Sequence, residues 1–369
     1  VRIAVTNHHR KLVGGTESYL NGVIPELEAR GHDVTLFHEA EANDPVIHAS
    51  HHTRDWQKLG SFRNFIIFNH GLQSPEREYG LADLAPVVHF AHNYHGTCIS
   101  GEKTRKLPQP AACPRQFGPV CLAEYLPRNC GGWNPLVAIR DYRTQSGRLQ
   151  AMKRAHVVVT ASRHMEQEYR NHSIGNVALA PLFVSQKPEP LPTLNQSSFR
   201  ILFAGRMTEI KGAAILAKAI PLIRRQMSVP VSVTFAGDGP ESAEVQRLCP
   251  EANFPGWLSQ TALQELAASH HVLAMPSIWP EPFGLSGLEL GLPVAAFAVG
   301  GIPDWLTDGF NGTLAAPPTP EAFAEAIVRC AAIAKGRTNM HNAAQNFTLA
   351  RHMDALIPIL ENAFSRCAS

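Results

Sequence analysis

The stretch PEPFGLSGLELGLP, residues 280–293, carries two glutamates eight positions apart, Glu281 and Glu289, around a phenylalanine, prolines and glycines. Neighbouring carboxylates can form a reactive pair that divides acid and base work, or one of them can merely cap a short helix. Pro282 biases Glu281 toward extended backbone, whereas Ser286 and Glu289 fit the Ser-x-x-Glu capping box that opens a helix. One carboxylate in a loop and the other a turn into a helix predict two separate groups rather than a pair sharing one proton. Capping alone would account for Glu289. It leaves Glu281, beside Gly284, without a structural explanation.

Cations stand upstream. Arg206 and Lys211, in RMTEIKG, follow the apolar run RILFAG, where a forked guanidinium and a point-charge ammonium can clamp a diphosphate. Two solvated loop residues are the structural alternative. Gly14 and Gly15, in KLVGGTESYL, let backbone N–H groups approach an anion ahead of a helix that Thr16 could cap; a tight turn explains the same letters. FAGDGPES reads as strand, turn and helix start, with Ser242 where a dinucleotide fingerprint has its third glycine, so this turn is read as structure. His92, in HFAHNYH, ends a strand and faces the same crevice as a ligand contact, or else is a satisfied structural histidine.

No metal chemistry is written in the histidines. Their spacing matches no zinc enzyme, and there is no His-Glu-x-x-His, no Walker loop and no Gly-x-Ser-x-Gly elbow. Cys98, Cys113, Cys121 and Cys130 crowd one segment at gaps of 14, 7 and 8 residues. No Cys-x-x-Cys step occurs there, so a tetrahedral zinc cage, a labile disulfide and buried thiols all stay open.

These residues need elements to hold them. Apolar runs predict strands at RIAVT, DVTLFHEA, NFIIFNH, VVHFAHN and HVVVTAS in the first half. RILFAGR, VSVTFAG, HVLAMPS, PVAAFAV and GTLAA follow in the second. Helical periods fall between them, as in ESYLNGVIPELEARG, whose Leu20, Val23, Ile24 and Leu27 form one face and whose Gly31 is a terminator. Alternating strands and helices predict an α/β fold with two doubly wound, Rossmann-like domains, and such sheets bind ligands beyond their carboxyl edges. The expected division is an N-terminal domain 1–184 with an irregular insertion at about 95–135, a proline-rich linker 185–198, a C-terminal domain 199–345, and a C-terminal helix 346–369 that packs back on the first domain.

Length and composition agree with two globular domains: 369 residues, 44% hydrophobic and 17% charged. A net charge of +2 provides no global field for nucleic acid. No apolar run reaches the length of about 18 residues that crosses a bilayer, and VRIAVTNHHRK reads as a strand rather than a signal peptide. The expectation is a cytoplasmic enzyme, with peripheral contact to a membrane surface left open.

Taken together, FAGRMTEIKGAAILAKAI, FAGDGPE, PSIWPEPFGLSGLE and GLPVAAFAVGGIPD resemble, in order, the motifs of glycosyltransferase family 4. These are retaining, nucleotide-sugar-dependent enzymes with the GT-B fold, two Rossmann-like domains facing a cleft. The resemblance implies that Arg206 and Lys211 bind the donor diphosphate, that Glu281 binds hydroxyls of the transferred sugar, and that Glu289 holds the ribose. It places the backbone N–H groups of Phe283, Gly284, Leu285 and Ser286 against sugar and phosphate, Gly14 and Gly15 against the diphosphate, His92 near the sugar, and Trp257 and Leu258 at the nucleobase. It implies a UDP- or GDP-hexose donor and a sugar, lipid-linked or small-molecule acceptor. No metal cofactor is implied, since cations and a helix N-terminus would carry the leaving-group charge.

The sequence departs from the family in three ways. The chain after Glu289 is about one helical turn short, APLFVSQ replaces the usual hinge, and the cysteine-bearing insertion lies outside the family core. A GT-B sugar-nucleotide epimerase and a catalytically weak sugar-nucleotide-binding protein are the competing readings.

Overall fold

The computed structural model describes residues 1–369 except 42–44, 186–190, 193, 195–196, 334–335 and 366–369. Most of the expected linker 185–198 therefore lies outside the described residues, as does Cys367. In chain order the first strands are β1 (Arg2–Asn7), β2 (Asp33–His38), β3 (His52–Thr53), β4 (Phe65–Asn69) and β5 (Val87–Ala91). Next come β6 (Thr104–Arg105), β7 (Ala111–Ala112), β8 (Val157–Thr160) and β9 (Val177–Leu179). The remainder are β10 (Phe199–Ala204), β11 (Val231–Ala236), β12 (Asn253–Gly256), β13 (Val272–Met275), β14 (Val294–Phe297) and β15 (Gly312–Ala315).

The chain divides into two compact units. Unit 1 comprises Val1–Lys103, Pro114–Pro181 and Leu349–Ser369. Its seven-stranded sheet has the order β3-β2-β1-β4-β5-β8-β9, every pairing parallel. Unit 2 comprises Thr104–Cys113 and Leu182–Thr348. Its six-stranded parallel sheet has the order β12-β11-β10-β13-β14-β15. Both are the doubly wound order in which the chain reverses direction across the sheet beside its first strand. Residues 104–113 of the insertion thus group with unit 2, where β6 and β7 form an antiparallel hairpin.

All ten strands expected from apolar runs are present; nine are central, and central parallel strands are covered on both faces and must be apolar throughout, while the tenth, β15, lies at a sheet edge. Ile3, Val5, Ile66, Phe68, Val88 and Val158 in unit 1, and Ile201, Leu202, Val294 and Ala295 in unit 2, are fully buried. The strands that the pattern misses are β3, β9 and β12 at the sheet edges and the two-residue hairpin strands. An edge strand buries less and can be very short, so it leaves no period to read; β12, NFPG, even contains a proline and shifts register against β11.

The helix Gly15–Ala29 buries Leu20, Val23, Ile24 and Leu27 as its period requires, and Gly31 follows it at φ +85°. Its start differs from expectation. Gly14 is the N-cap, with no side-chain cap, and Thr16 lies inside the first turn. The C-terminal helix Leu349–Ser365 belongs to unit 1. His352 anchors it: its Nδ1 donates to the Pro181 carbonyl at 2.7 Å, and its Nε2 accepts from the Tyr19 hydroxyl at 2.8 Å. Among the described residues no helix is long and apolar enough to cross a membrane.

Burial pushes His352 and His89 down to about 4 and His92 to about 3. In an unfolded chain these rings titrate near 6.5, so between that value and about 4 the unfolded state binds more protons. Stability from keeping them neutral is complete above pH 6.5 and drains away as pH falls toward 4. Thermal unfolding should therefore show a falling melting temperature from about pH 7 to about pH 5; a level or rising profile contradicts the buried-histidine account.

Candidate functional site

In unit 2 the strand order reverses between β10 and β13, and the loops that follow these two strands carry the predicted cation and carboxylate. Lys211 Nζ lies 2.6 Å from Glu281 Oε1. Lys211 ends a 3-10 turn, Glu209–Lys211, closed by Gly212 at φ +70°. A Cβ on Gly212 would stand 2.0 Å from the Pro276 carbonyl oxygen, so only glycine lets the two loops meet. The Ile210 carbonyl then accepts from the backbone N–H groups of Ile278 (2.9 Å) and Trp279 (3.2 Å) and from the Ser277 hydroxyl (3.1 Å).

Glu281 is held from its other side. Gly301 N–H donates to the Glu281 carbonyl at 2.7 Å. Gly300, at φ +57°, packs so closely that a Cβ would fall 2.3 Å from the same oxygen. The residue is only 6% exposed, and a carboxylate taken that far from water requires a counter-charge. Lys211 provides it, while its ammonium also sits 4.9 Å from the centre of the Trp279 ring, a cation–π contact of about 0.5–2 kcal/mol. The Trp279 indole N–H is buried without a hydrogen-bond partner among the described residues.

Beyond Glu281 the chain turns through Gly284 into a helix of four residues, Ser286–Glu289. The expected capping box is absent. Leu285 occupies the cap position, no side chain caps the helix, and Glu289 is its last residue. Gly291, at φ +65°, follows closely, so the helix is one turn long and leaves a capping box little to serve. What remains is a run of N–H groups, from Phe283 to Ser286, that make no hydrogen bond among the described residues. Trp305 braces this run: its indole donates to the Phe283 carbonyl at 2.7 Å. A Cβ on Gly287 would meet its ring at 2.2 Å. The Phe283 side chain is buried and stacks edge-on against Phe347, so only its backbone can serve a ligand. Burial raises the Glu289 carboxyl above its ordinary value.

Arg206 is exposed, and its guanidinium has no hydrogen-bond or ion-pair partner among the described residues. Its neighbour Met207 is fixed by the Gly-Asp-Gly turn, donating its N–H to the Asp238 carbonyl at 2.9 Å. Within that turn Ser242 donates to Asp238 at 2.6 Å and accepts from Gly239 N–H at 2.8 Å, which is structural work. Trp257 follows β12 and is 70% exposed; Leu258 beside it is half-buried. Gly237 N–H bonds the Gly256 carbonyl at 2.8 Å, keeping this indole on the same sheet edge, two strands or roughly 10 Å from β10.

Unit 1 is described separately. Gly14 and Gly15 open the helix after β1, and the N–H groups of Gly15, Thr16 and Glu17 make no hydrogen bond among the described residues. Glu17, unremarked in the sequence, is buried there with Asn7 Nδ2 at 3.2 Å. His92 Nε2 shares a 2.8 Å hydrogen bond with His70 Nδ1, and its ring packs on Tyr19 and Phe90. It is a neutral imidazole in an aromatic cluster. The zinc alternative for the cysteines finds no site: among the described residues no group of three or more histidine, cysteine, aspartate or glutamate side chains could hold a metal ion.

Ile210, Trp279 and Trp305 were not singled out in the sequence, and Gly300 was marked only as part of the motif GLPVAAFAVGGIPD, without a role of its own. Gly300 and Trp305 lie in AVGGIPDW directly after β14, and their position past a strand is the signal that could have marked them.

Comparison with known proteins places these features in context. Residues 198–332 match the family described as Glycosyl transferases group 1. A D-inositol 3-phosphate glycosyltransferase of Streptomyces griseus is 34% identical over 155 residues, 37% of this chain and 33% of that protein. One from Paenarthrobacter aurescens is 32% identical over 154 residues, 38% of each. The matched region thus spans about a third of the length of these curated relatives. Among solved structures, the sucrose-phosphate synthase of Thermosynechococcus elongatus superposes with TM-score 0.69 at 18% identity, covering 99% of both chains. HepE of Anabaena in complex with UDP and glucose gives 0.65 at 17% identity, covering 98% of this chain and 99% of that one. The fold is GT-B, with two Rossmann-like domains.

The clamp on Glu281 predicts a contrast between two left-handed glycines. Gly300→Ala drives a methyl into the Glu281 carbonyl, whereas at Gly309, φ +76°, an added Cβ would meet nothing within 4 Å. Gly309→Ala should cost about 1 kcal/mol, the strain of the backbone alone, and Gly300→Ala about 2–4 kcal/mol. Equal losses in denaturant unfolding contradict the close packing.

Proposed function

We propose that the chain is a retaining glycosyltransferase that moves a hexose from a nucleoside-diphosphate sugar, UDP-hexose in preference to GDP-hexose, to an acceptor hydroxyl without a metal ion. The observation that carries this reading is the contact of Lys211 with Glu281 at the switch point of unit 2, 2.6 Å apart. A diphosphate would take the ammonium and sugar hydroxyls would take the carboxylate, so one donor satisfies both partners as it separates them.

The remaining residues fit the same donor. Arg206 adds a forked cation to the diphosphate, and the N–H groups of Phe283 to Ser286 line up beside it. Glu289 receives the ribose hydroxyls. Trp257 and Leu258 offer an apolar wall to the base about 10 Å away. Resemblance to the family assigns Gly14 and Gly15 of unit 1 to the diphosphate and His92 to the sugar. The preference for UDP draws support from the UDP held by HepE, and transfer itself from the names of the matched relatives.

In the reaction the anomeric carbon–oxygen bond breaks, the diphosphate leaves with the bonding pair, and positive charge spreads over the ring. Arg206, Lys211 and the loop N–H groups stabilise the anion, the part a metal plays elsewhere. Because the helix here is one turn long, its dipole contributes little and the individual N–H groups carry the load. The acceptor oxygen attacks on the face the diphosphate leaves and passes its proton to a phosphate oxygen, which retains the anomeric configuration. A sugar, a lipid-linked sugar or a small molecule can provide that hydroxyl.

Incubation with UDP-, GDP- and ADP-hexoses and a panel of such acceptors tests the reading. It predicts release of UDP with an anomerically retained product, and a loss on the order of 10²–10³-fold in turnover for Glu281→Ala at unchanged melting temperature. Isomerised donor would make the chain an epimerase, and tight binding without turnover a binding protein; either result overturns the proposal.

A further inference from the structure

Residues 104–113, TRKLPQPAAC, carry an arginine and a lysine and no carboxylate. Lys103 before them and Pro114 after them group with unit 1, yet these residues group with unit 2. Their ladder pairs Thr104 with Ala112 and Arg105 with Ala111, which is too little to hold a hairpin in shape by itself. Lys103 closes the neck instead. Its side chain is buried, and its ammonium donates to the Arg115 carbonyl at 2.5 Å, on the far side of the hairpin, and to the Thr97 carbonyl at 3.4 Å. Glu168 supplies the counter-charge that such burial demands. The two ends of the hairpin are thus pinned together.

Within unit 2 the hairpin meets the loop that carries Lys211. Lys106 Nζ lies 3.6 Å from Glu209 Oε2, with the two side chains 41% and 38% exposed. A pair this open to water adds little to folding, so its consequence lies in the field it leaves at the loop. Glu209 opens the 3-10 turn that Lys211 ends, and it is the one carboxylate in RMTEIKG. Since Glu281 already stands against Lys211, an anion arriving at Arg206 and Lys211 would meet as many carboxylates as cations. Lys106 tips that balance to positive. Arg105 beside it adds to the excess, because its guanidinium donates to the Leu107 carbonyl at 3.3 Å and has no carboxylate partner among the described residues. The reach of Glu209 shows at Glu241, whose carboxyl is pushed up by burial first and by the Glu209 charge next.

We propose that this hairpin is a working part of the donor site, and that Lys106 is a positioning residue that cancels the charge of Glu209 and keeps the loop attractive to a diphosphate. The inference rests on the reading of unit 2 as a nucleoside-diphosphate site, and it gives a role to an insertion that lies outside the family core. Arg206 and Lys211 touch the anion. Lys106 acts on it through Glu209, by charge complementarity rather than by contact.

Calorimetric titration of UDP, UMP and uridine into the full chain and its variants is the test, with GDP as a second diphosphate. Lys106→Gln bares the Glu209 charge and should weaken UDP about three- to tenfold, UMP less and uridine not at all, since the loss follows the charge of the ligand. Glu209→Gln should bind UDP at least as tightly as the parent. Combining Lys106→Gln with Glu209→Gln leaves neither charge and should restore the parent affinity to within about twofold. All these variants should melt as the parent does. A Lys106→Gln variant that binds UDP like the parent overturns the inference, and so does one that loses uridine equally, which would make the hairpin a structural support. A double variant as weak as Lys106→Gln alone also overturns it, because Lys106 would then hold the phosphate itself. A parent that binds neither UDP nor GDP removes the donor site, and this inference falls with it.

Discussion

A buried carboxylate in unit 2 has one cation to satisfy it among the described residues, and most of the surrounding structure serves to keep the two together. Glu281 sits almost out of solvent with Lys211 at 2.6 Å. An isolated carboxylate at that depth would be costly, so Lys211 offsets the burial of Glu281 when no ligand is present. Lys211 is less buried than its partner and keeps ammonium hydrogens for an incoming anion. In the proposed reaction the same two groups are the grips on the donor, so the resting ion pair is a site held closed on itself.

Backbone proximity sets this geometry more than side-chain packing does. Gly212 passes within a forbidden Cβ distance of Pro276, and Gly300 does the same to Glu281. The motif glycines are thus spacers whose missing methyl groups bring three loops, after β10, β13 and β14, onto one sheet edge. Trp305 under Phe283 and Trp279 beside Lys211 fill the space behind them. The four-residue helix shows how economical the arrangement is: a single turn follows the unpaired N–H groups of Phe283 to Ser286.

How much of this was legible follows from what each element must bury. The central strands were readable because two covered faces demand uninterrupted apolar residues, and β3, β9 and β12 were not because an edge makes no such demand. Arg206, Lys211 and Glu281 could be located from their positions just past strands, although the contact of Lys211 with Glu281 could not, since it depends on glycine clearances that one letter does not display. Ser286 and Glu289 spelled a capping box that the structure does not use, because Gly291 stops the helix first. The cysteine spacing left a metal cage, a disulfide and thiols equally open, and among the described residues no metal cage forms. Local patterns were reliable where tertiary burial enforces them and misleading where a later residue cuts the element short.

The central claim is that Glu281 grips the sugar while Lys211 serves the diphosphate, and calorimetric titration of UDP and of UDP-hexose into the parent and into Glu281→Gln addresses it most directly. Glutamine keeps the shape and removes the charge, which frees Lys211. The account predicts that UDP binds the variant at least as tightly as it binds the parent, while UDP-hexose loses about tenfold or more, the cost of one charged hydrogen-bonding group. Equal weakening of both ligands would contradict it, leaving Glu281 as a structural counter-ion and no hand on the sugar.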